Sequence, residues 1–372
     1  MSVNARHVSA GRALGILRAG WQAQSAGALT TSWMLHGRPG VGKTQIVAQL
    51  ANEIGAQLFD LRLTTIEPQD LRGLPYYDHD AKKTIWYRPE DLPDDPTRPA
   101  ILFLDELTAA SPYLQPTVYG LLQERRVARH RLPDSVMVIA AGNDASDGAI
   151  AHDMGTALSD RLVHLVVRAE PDDWLRGFAI DAALHPAVTA FIRARPDLLD
   201  TTEDALRRGQ TIACTPRSWE RVSRITTAIP DRDIRNAMVA GTVGDAAAAE
   251  YASVADDIAA TLRLEDLLDA DADARADLYP DTLNGLNALV FALVGSASET
   301  RLASVIDVMA GLRGLPGARP RDGFEKLPLG ELTAFGFEML IARALDAGLQ
   351  DAFAQSQSYA AYAADRRAAG LD

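Results

Sequence analysis

The segment GRPGVGKT, Gly37 to Thr44, constrains this chain more than any other stretch. Glycine, four residues, then Gly-Lys-Thr is the spacing with which a glycine-rich loop wraps a polyphosphate. The flanks agree with that reading. Trp33 to His36 predicts a strand leading into the loop, and TQIVAQLANEIG predicts a helix leaving it, so loop and helix N–H groups converge on an anion. In that geometry Lys43 reaches the β- and γ-phosphates of a triphosphate and the Thr44 hydroxyl ligates Mg²⁺. Gly37, Pro39, Gly40, Val41, Gly42, Lys43, Thr44 and Gln45 are the candidate nucleotide-binding residues.

The surroundings specify an α/β fold. From Ser32 to about Val167, short apolar runs alternate with amphipathic stretches, the pattern of a parallel sheet with crossover helices. SWMLHG, AQLFDLRL, AILFLDE, DSVMVIAAGN and RLVHLVV predict five buried strands. ILFLDE sets Asp105 and Glu106 at a strand's C-terminal edge, where open α/β sheets bind ligands. Asp105 is then a candidate Mg²⁺ ligand, acting through water, and Glu106 a base or orienting group for attacking water. VMVIAAGN ends on Asn143, whose amide is placed to reach the γ-phosphate or that water; in isolation it reads equally as a turn residue. Arg161 precedes the last strand and Arg217 opens a later helix, TPRSWE. Each arginine alone reads as a surface residue.

Beyond Pro171 the β-branched runs stop and helices separated by Pro and Gly follow, so 372 residues divide into two or three domains. Between Asp256 and Asp277 the chain is acidic and of low complexity, which predicts a solvated linker or helix end and no metal site. The balance of 37 Lys+Arg against 50 Asp+Glu, net −13, weighs against a general polyanion binder and places nucleic acid behind protein as a partner. One cysteine, Cys214, excludes an internal disulfide and a thiolate zinc cluster and fits a reducing compartment. Apolar runs such as VMVIAAG fall short of the roughly 18 residues of a membrane span, so no membrane span and a cytoplasmic location are expected.

Leu61 to Pro99 is too long for a simple helix-to-strand connection, and long segments inside compact domains tend to be functional. PYYDHDAKKTIWY predicts a hairpin with Tyr76 and Tyr77 on one arm, Ile85, Trp86 and Tyr87 on the other, and DHDAKK as its turn. Two readings stay open: the aromatics pin the hairpin to its own helix, or they grip a client. ERRVARHR, with Arg125, Arg126, Arg129 and Arg131, reads as a solvated charge run or as part of the same gripping face.

Taken in order, these motifs resemble those of the AAA+ ATPases, and among them the MoxR branch. GRPGVGKT resembles that family's Walker A motif, FLDE its Walker B, Asn143 its sensor 1, Arg161 its arginine finger and Arg217 its sensor 2. ERRVARHRLPDSVMVIAAGN, LHPAVTAFIRARPDLL and TPRSWERVSRI extend the likeness over about residues 30–250. AIAHDMGTALSDR departs from the family pattern before the finger. The resemblance implies an N-terminal helical segment at 1–30, an AAA+ P-loop domain at 31–168 with a helix-2 insert at about 61–99, an α-helical lid at 169–250 and a helical C-terminal extension at 251–372. It also implies ATP hydrolysis with Mg²⁺ in a ring of self-copies, six being usual, with Arg161 serving the neighbouring subunit. The work implied is chaperone-like remodelling or activation of a protein client with a von Willebrand factor A domain partner. The alternatives are a motor subunit of a nucleic-acid-processing complex and a nucleotide-gated assembly scaffold; Glu106 argues against the scaffold.

Overall fold

Unbroken apolar runs make strands buried on both faces, and here they assemble into a parallel sheet. A computed structural model describes residues 3–143, 159–320 and 323–370, with the side chains of 272 and 273 set aside. The departure before Arg161 therefore lies largely outside the described residues. The sheet has six strands where five were expected: β1 (His7–Val8), β2 (Ser32–His36), β3 (Gln57–Arg62), β6 (Ala100–Asp105), β9 (Val136–Gly142) and β10 (Leu162–Val167). Their order is β1-β10-β2-β9-β6-β3, and every neighbouring pair is parallel. The extra strand lies in the N-terminal stretch expected to be helical. Two residues carry no readable periodicity, and β1 exists only because His7 pairs with Val166 and Val8 with Val167.

Alternation along the strands divides the core into two layers. Trp33, Leu35, Ile101, Phe103, Met137, Ile139 and Ala141 face α1 (Ala10–Ser25) and α2 (Lys43–Glu53). Met34, Leu102, Leu104, Val136, Val138 and Leu162 pack against Leu114, Val118, Leu121 and Leu122, in and just before α4 (Gln115–Glu124). Hydrogen bonds from side chains fix the layers: Ser32 Oγ donates to the Leu122 carbonyl (2.7 Å), and Gln24 Nε2 donates to the carbonyls of Asp134 and Val136 (3.0 and 2.9 Å). Two small hairpins leave this scaffold, β4 (Pro75–Asp78) with β5 (Lys83–Trp86), and β7 (Arg126–Val127) with β8 (His130–Arg131).

The chain forms two compact units. One takes residues 1–170, 200–211 and 215–217; the other takes 171–199, 212–214 and 218–372. The second unit is helical. Its helix Leu283–Ser296 is buried from Gly285 through Val294, so an all-round apolar sequence becomes a central core element. Phe191, Trp219 and Tyr251, from three other helices, meet with ring centroids 5.2 to 5.9 Å apart. Trp219 Nε1 donates to the Leu198 carbonyl (2.7 Å), and the Tyr251 hydroxyl pairs with that of Thr226 (2.7 Å). Burial pushes the Tyr251 phenol up to about 12.

Candidate active site

In a parallel sheet the C-terminal ends of all strands share one edge, and that edge gathers the chemistry. The phosphate loop follows β2, Asp105 closes β6, and Asn143 follows β9, which lies between them. The loop's conformation requires glycine. Gly37 has φ +156°, and a Cβ there would come within 2.6 Å of the Val167 carbonyl oxygen; Gly42, at φ +99°, is the left-handed N-cap of α2. Val41 is buried in the core layer beneath, while Pro39 and Gln45 are exposed.

The buried Lys43 ammonium donates to the carbonyls of Gly37 and Arg38 and to Asn143 Oδ1 (2.9 Å). Asn143 is held in turn by a residue that no motif indicated. Thr108 Oγ1 accepts from the Asn143 N–H and donates to the Asn143 carbonyl, both at 3.0 Å. Thr44 Oγ1 donates to Asp105 Oδ2 (3.2 Å), and Asp105 Oδ1 accepts from the Glu106 N–H (2.8 Å). Glu106 has left-handed backbone, φ 60° and ψ 32°, which turns its side chain out of the strand line. There Thr64 Oγ1, just past β3, donates to its carboxylate, with Arg62 Nε 3.8 Å from the other oxygen. Burial, and next the charge of Asp105, pushes the Asp60 carboxyl up.

The set fits a nucleotide with Mg²⁺. A hydroxyl and a carboxylate oxygen in contact are the hard donors this ion takes, one or two carboxylates beside phosphate oxygens being its usual protein share. Glycine at 37, 40 and 42 removes three Cβ atoms from the loop, which lets a phosphate approach its backbone closely.

The two arginines lie differently. The chain before the helix Pro216–Ala228 runs against the loop: a Cβ on Gly40 would come 3.1 Å from Thr215 Oγ1 and 3.5 Å from Arg217 Cβ. Arg217 thus starts beside the phosphate loop, with an exposed side chain. Arg161 is exposed at the opposite edge, just before Leu162, which pairs with Ser32 at the start of β2; its guanidinium donates to Gln123 Oε1 on α4. Lys43, Thr44, Asp105, Glu106 and Asn143 are brought together, and Arg161 is kept from its own loop. Thr64, Thr108 and Thr215 were missed because a lone threonine after a strand carries no pattern.

The insert forms the expected hairpin, with Asp78 and Lys83 paired and the turn confined between them. Tyr76, Tyr77 and Tyr87 are exposed, whereas half-buried Trp86 lies 5.4 Å beneath the Arg72 guanidinium on α3 (Pro68–Arg72). Of the neighbouring arginines, Arg125 turns inward to the carbonyls of Pro133 and Val136 (2.9 and 2.6 Å) and belongs to no exposed charge run. Arg126 pairs with Glu124 (2.7 Å), and His130 donates to the Arg72 carbonyl (3.2 Å), which ties the β7–β8 hairpin to the end of α3.

Sheet order, phosphate loop and acidic strand end define a P-loop nucleotide-binding protein with the α/β AAA+ fold. More narrowly, residues 32–162 match the family model of the AAA domain (dynein-related subfamily). The mouse ATPase family gene 2 protein homolog B is 34% identical over 105 residues, which are 28% of this chain and 12% of that protein. The chain thus spans about an eighth of the relative it matches. Among solved structures, the Thermotoga maritima RuvB Holliday junction branch migration motor is similar over 90% of this chain and 86% of its own, at 13% identity and TM-score 0.32. Closed-state Hsp104 with ATPγS and FITC casein is similar over 48% and 36%, at 14% identity and TM-score 0.34. The fold assignment rests on topology and the family match and not on these superpositions. Among the described residues no helix is long and apolar enough to cross a membrane.

Proposed function

We propose that the chain is a MoxR-type AAA+ ATPase that hydrolyses ATP in a ring to remodel or activate a protein client, in the cytoplasm and with a von Willebrand factor A domain partner. In this reading 169–250 acts as the lid and 251–372 as an extension. The observation that carries the hydrolytic part is the closed set of contacts at the sheet edge. Lys43 and Asn143 form one pair, Thr44 and Asp105 another, and Glu106 is set apart on its left-handed residue. Mg²⁺ held by Thr44 and Asp105 would neutralise charge on the transferring phosphoryl group. Lys43 binds the β- and γ-phosphates, exchanging its Asn143 contact for them. Asn143, locked at its backbone by Thr108, orients the attacking water with its amide. Glu106 holds that water from the other side and accepts its proton. Arg217 stabilises the nucleotide from beside the phosphate loop, and Arg161 acts on the neighbour's nucleotide, since a head-to-tail contact repeated around an axis closes a ring.

The deciding experiment separates binding from turnover. Lys43→Ala is expected to abolish ATP binding in calorimetry. Glu106→Gln is expected to bind ATP normally and to lower kcat by on the order of 100-fold or more, as loss of a positioned general base does. Equal loss of affinity in both variants overturns the role given to Glu106. The Glu106→Gln form, which traps ATP, is also the bait for client and partner; recovery of nucleic acid in place of protein defeats the remodelling assignment.

A further inference from the structure

Two histidines lie in the apolar layer facing α4, where strand alternation places Met34 and His36 on one side of β2 and Leu162 and His164 on the same side of β10. His36 is buried, yet both imidazoles are bonded. His36 Nε2 lies 2.8 Å from His164 Nδ1 with ring planes 21° apart, and His164 Nε2 lies 2.9 Å from the Ser159 carbonyl oxygen. Chemistry fixes the direction of this chain. A carbonyl only accepts, so His164 carries a proton on Nε2; in the neutral ring its Nδ1 is then the acceptor, and His36 donates from Nε2.

The two ends of the chain are functional. His36 is the last residue of β2 and is followed by Gly37, whose carbonyl accepts from Lys43. Ser159 stands two residues before Arg161. In the β2–β10 register His36 pairs with Val166 while Leu162 pairs with Ser32, so the loop and Arg161 lie at opposite edges about 13 Å apart at about 3.3 Å per residue. An apolar pair would fill this layer at no polar cost, whereas buried imidazoles are tolerated only when bonded. These bonds join a point on the phosphate-loop strand to a point on the Arg161 segment.

We propose that His36 and His164 are positioning residues that tether Arg161 to the phosphate loop of its own subunit, so that the nucleotide state of one site sets the pose of the arginine offered to the next. The tether rests on the reading of Arg161 as an arginine acting on the neighbour. When Lys43 leaves the Gly37 carbonyl for phosphate, the strand end carrying His36 loses one restraint, and the imidazole chain carries the shift to Ser159.

The test is a mixed ring. Arg161→Ala subunits keep an intact site without the arginine; Glu106→Gln subunits hold ATP and keep the arginine. Mixing them is expected to restore hydrolysis at the Arg161→Ala sites. Adding His36→Leu to the Glu106→Gln donor is expected to lower that recovery about tenfold or more, since misplacement by about 1 Å can cost on the order of 100-fold. His36→Gln, whose amide can still donate to His164 Nδ1, is expected to keep recovery within about threefold of the Glu106→Gln donor. Calorimetry with ATP should give every donor the same affinity, which a general structural defect would not. If the His36→Leu donor fails to fold in a thermal melt, His164→Phe at the half-buried partner breaks the same chain and is expected to show the same loss. Full recovery with a folded His36→Leu or His164→Phe donor overturns the tether and leaves the trans arginine standing. No recovery with Glu106→Gln alone, in rings shown by native mass spectrometry to be mixed, overturns the trans arginine and the tether with it.

Discussion

The phosphate edge of the sheet and the core of the helical unit are both dense in specific contacts, but they are built by different means. At the edge, backbone geometry does the placing. Strand ends in a parallel sheet converge, so Lys43 meets Asn143 and Thr44 meets Asp105 although they lie far apart in sequence, and Thr108 locks Asn143 in turn. In the helical unit nothing converges by backbone symmetry. Phe191, Trp219 and Tyr251 meet because three amphipathic helices each have one face to bury. Substitutions at the edge should therefore change chemistry at nearly constant stability, and substitutions in the helical core the reverse.

Trp219→Ala tests the second half of that contrast and should have the largest effect on stability. It removes a fully buried indole and leaves the Leu198 carbonyl without its donor, for a loss of about 3–5 kcal/mol in urea unfolding. ATP affinity of the folded fraction should stay unchanged. A folded Trp219→Ala protein that has lost ATP binding would break the separation. Thr64→Val tests the first half. Without the hydroxyl, Glu106 loses the donor that fixes its carboxylate, and kcat should fall roughly tenfold, the equivalent of about 1.4 kcal/mol, with the melting temperature and ATP affinity preserved. Thr64→Ser should retain activity. A drop in melting temperature that accounts for the lost rate would make Thr64 a packing residue.

A smaller effect is expected from protons. His185 caps the helix Pro186–Ala194 by accepting the Ala187 N–H at Nδ1 (3.1 Å), which only a neutral ring can do. Burial, and next the charge of Arg235, lowers its pKa from the ordinary 6.5. The unfolded chain therefore takes up a proton at a higher pH than the folded one. Stability from this group is complete above about pH 6.5 and is lost as pH falls through the depressed folded value. Asparagine caps helices well and does not titrate in this range. The melting temperature of His185→Asn should accordingly fall less steeply than that of the parent between about pH 7 and pH 5, and parallel curves would exclude His185 as the source.

The same contrast explains what was legible from sequence. Five strands were readable because each is an apolar run long enough to show its character, and the glycine loop because its residue types recur at a set spacing. β1 was not readable: two residues become a strand only when β10 offers an edge. Thr64 and Thr108 were hidden for a related reason, since their roles come from tertiary proximity to Glu106 and Asn143. Arg125 was misread as part of a charge run because sequence does not tell a guanidinium that snorkels from one that turns in to buried carbonyls. The helical unit could be recognised as helical but not assembled, because amphipathic faces do not name their partners.

The β4–β5 hairpin belongs to neither regime, and the smallest expected change in stability tests it most sharply. Its aromatic residues divide by burial. Trp86 is half-buried and stacks under Arg72, so Trp86→Ala should loosen the hairpin on α3. Tyr76, Tyr77 and Tyr87 are 49%, 63% and 61% exposed, and the Tyr76 ring lies 5.5 Å from that of Tyr87, just past β5. Such a pair contributes roughly 0.2–1 kcal/mol, and the other substitutions are surface changes of about 0.5 kcal/mol or less. Tyr76→Ala, Tyr77→Ala and Tyr87→Ala together should thus leave the melting temperature and basal ATP turnover nearly where they were. If the exposed tyrosines grip a client, stimulation of turnover by that client should vanish in the triple variant and survive in Trp86→Ala to the extent that the hairpin stays folded. Unchanged stimulation in the triple variant removes these rings from any gripping role and leaves the hairpin as packing around Trp86.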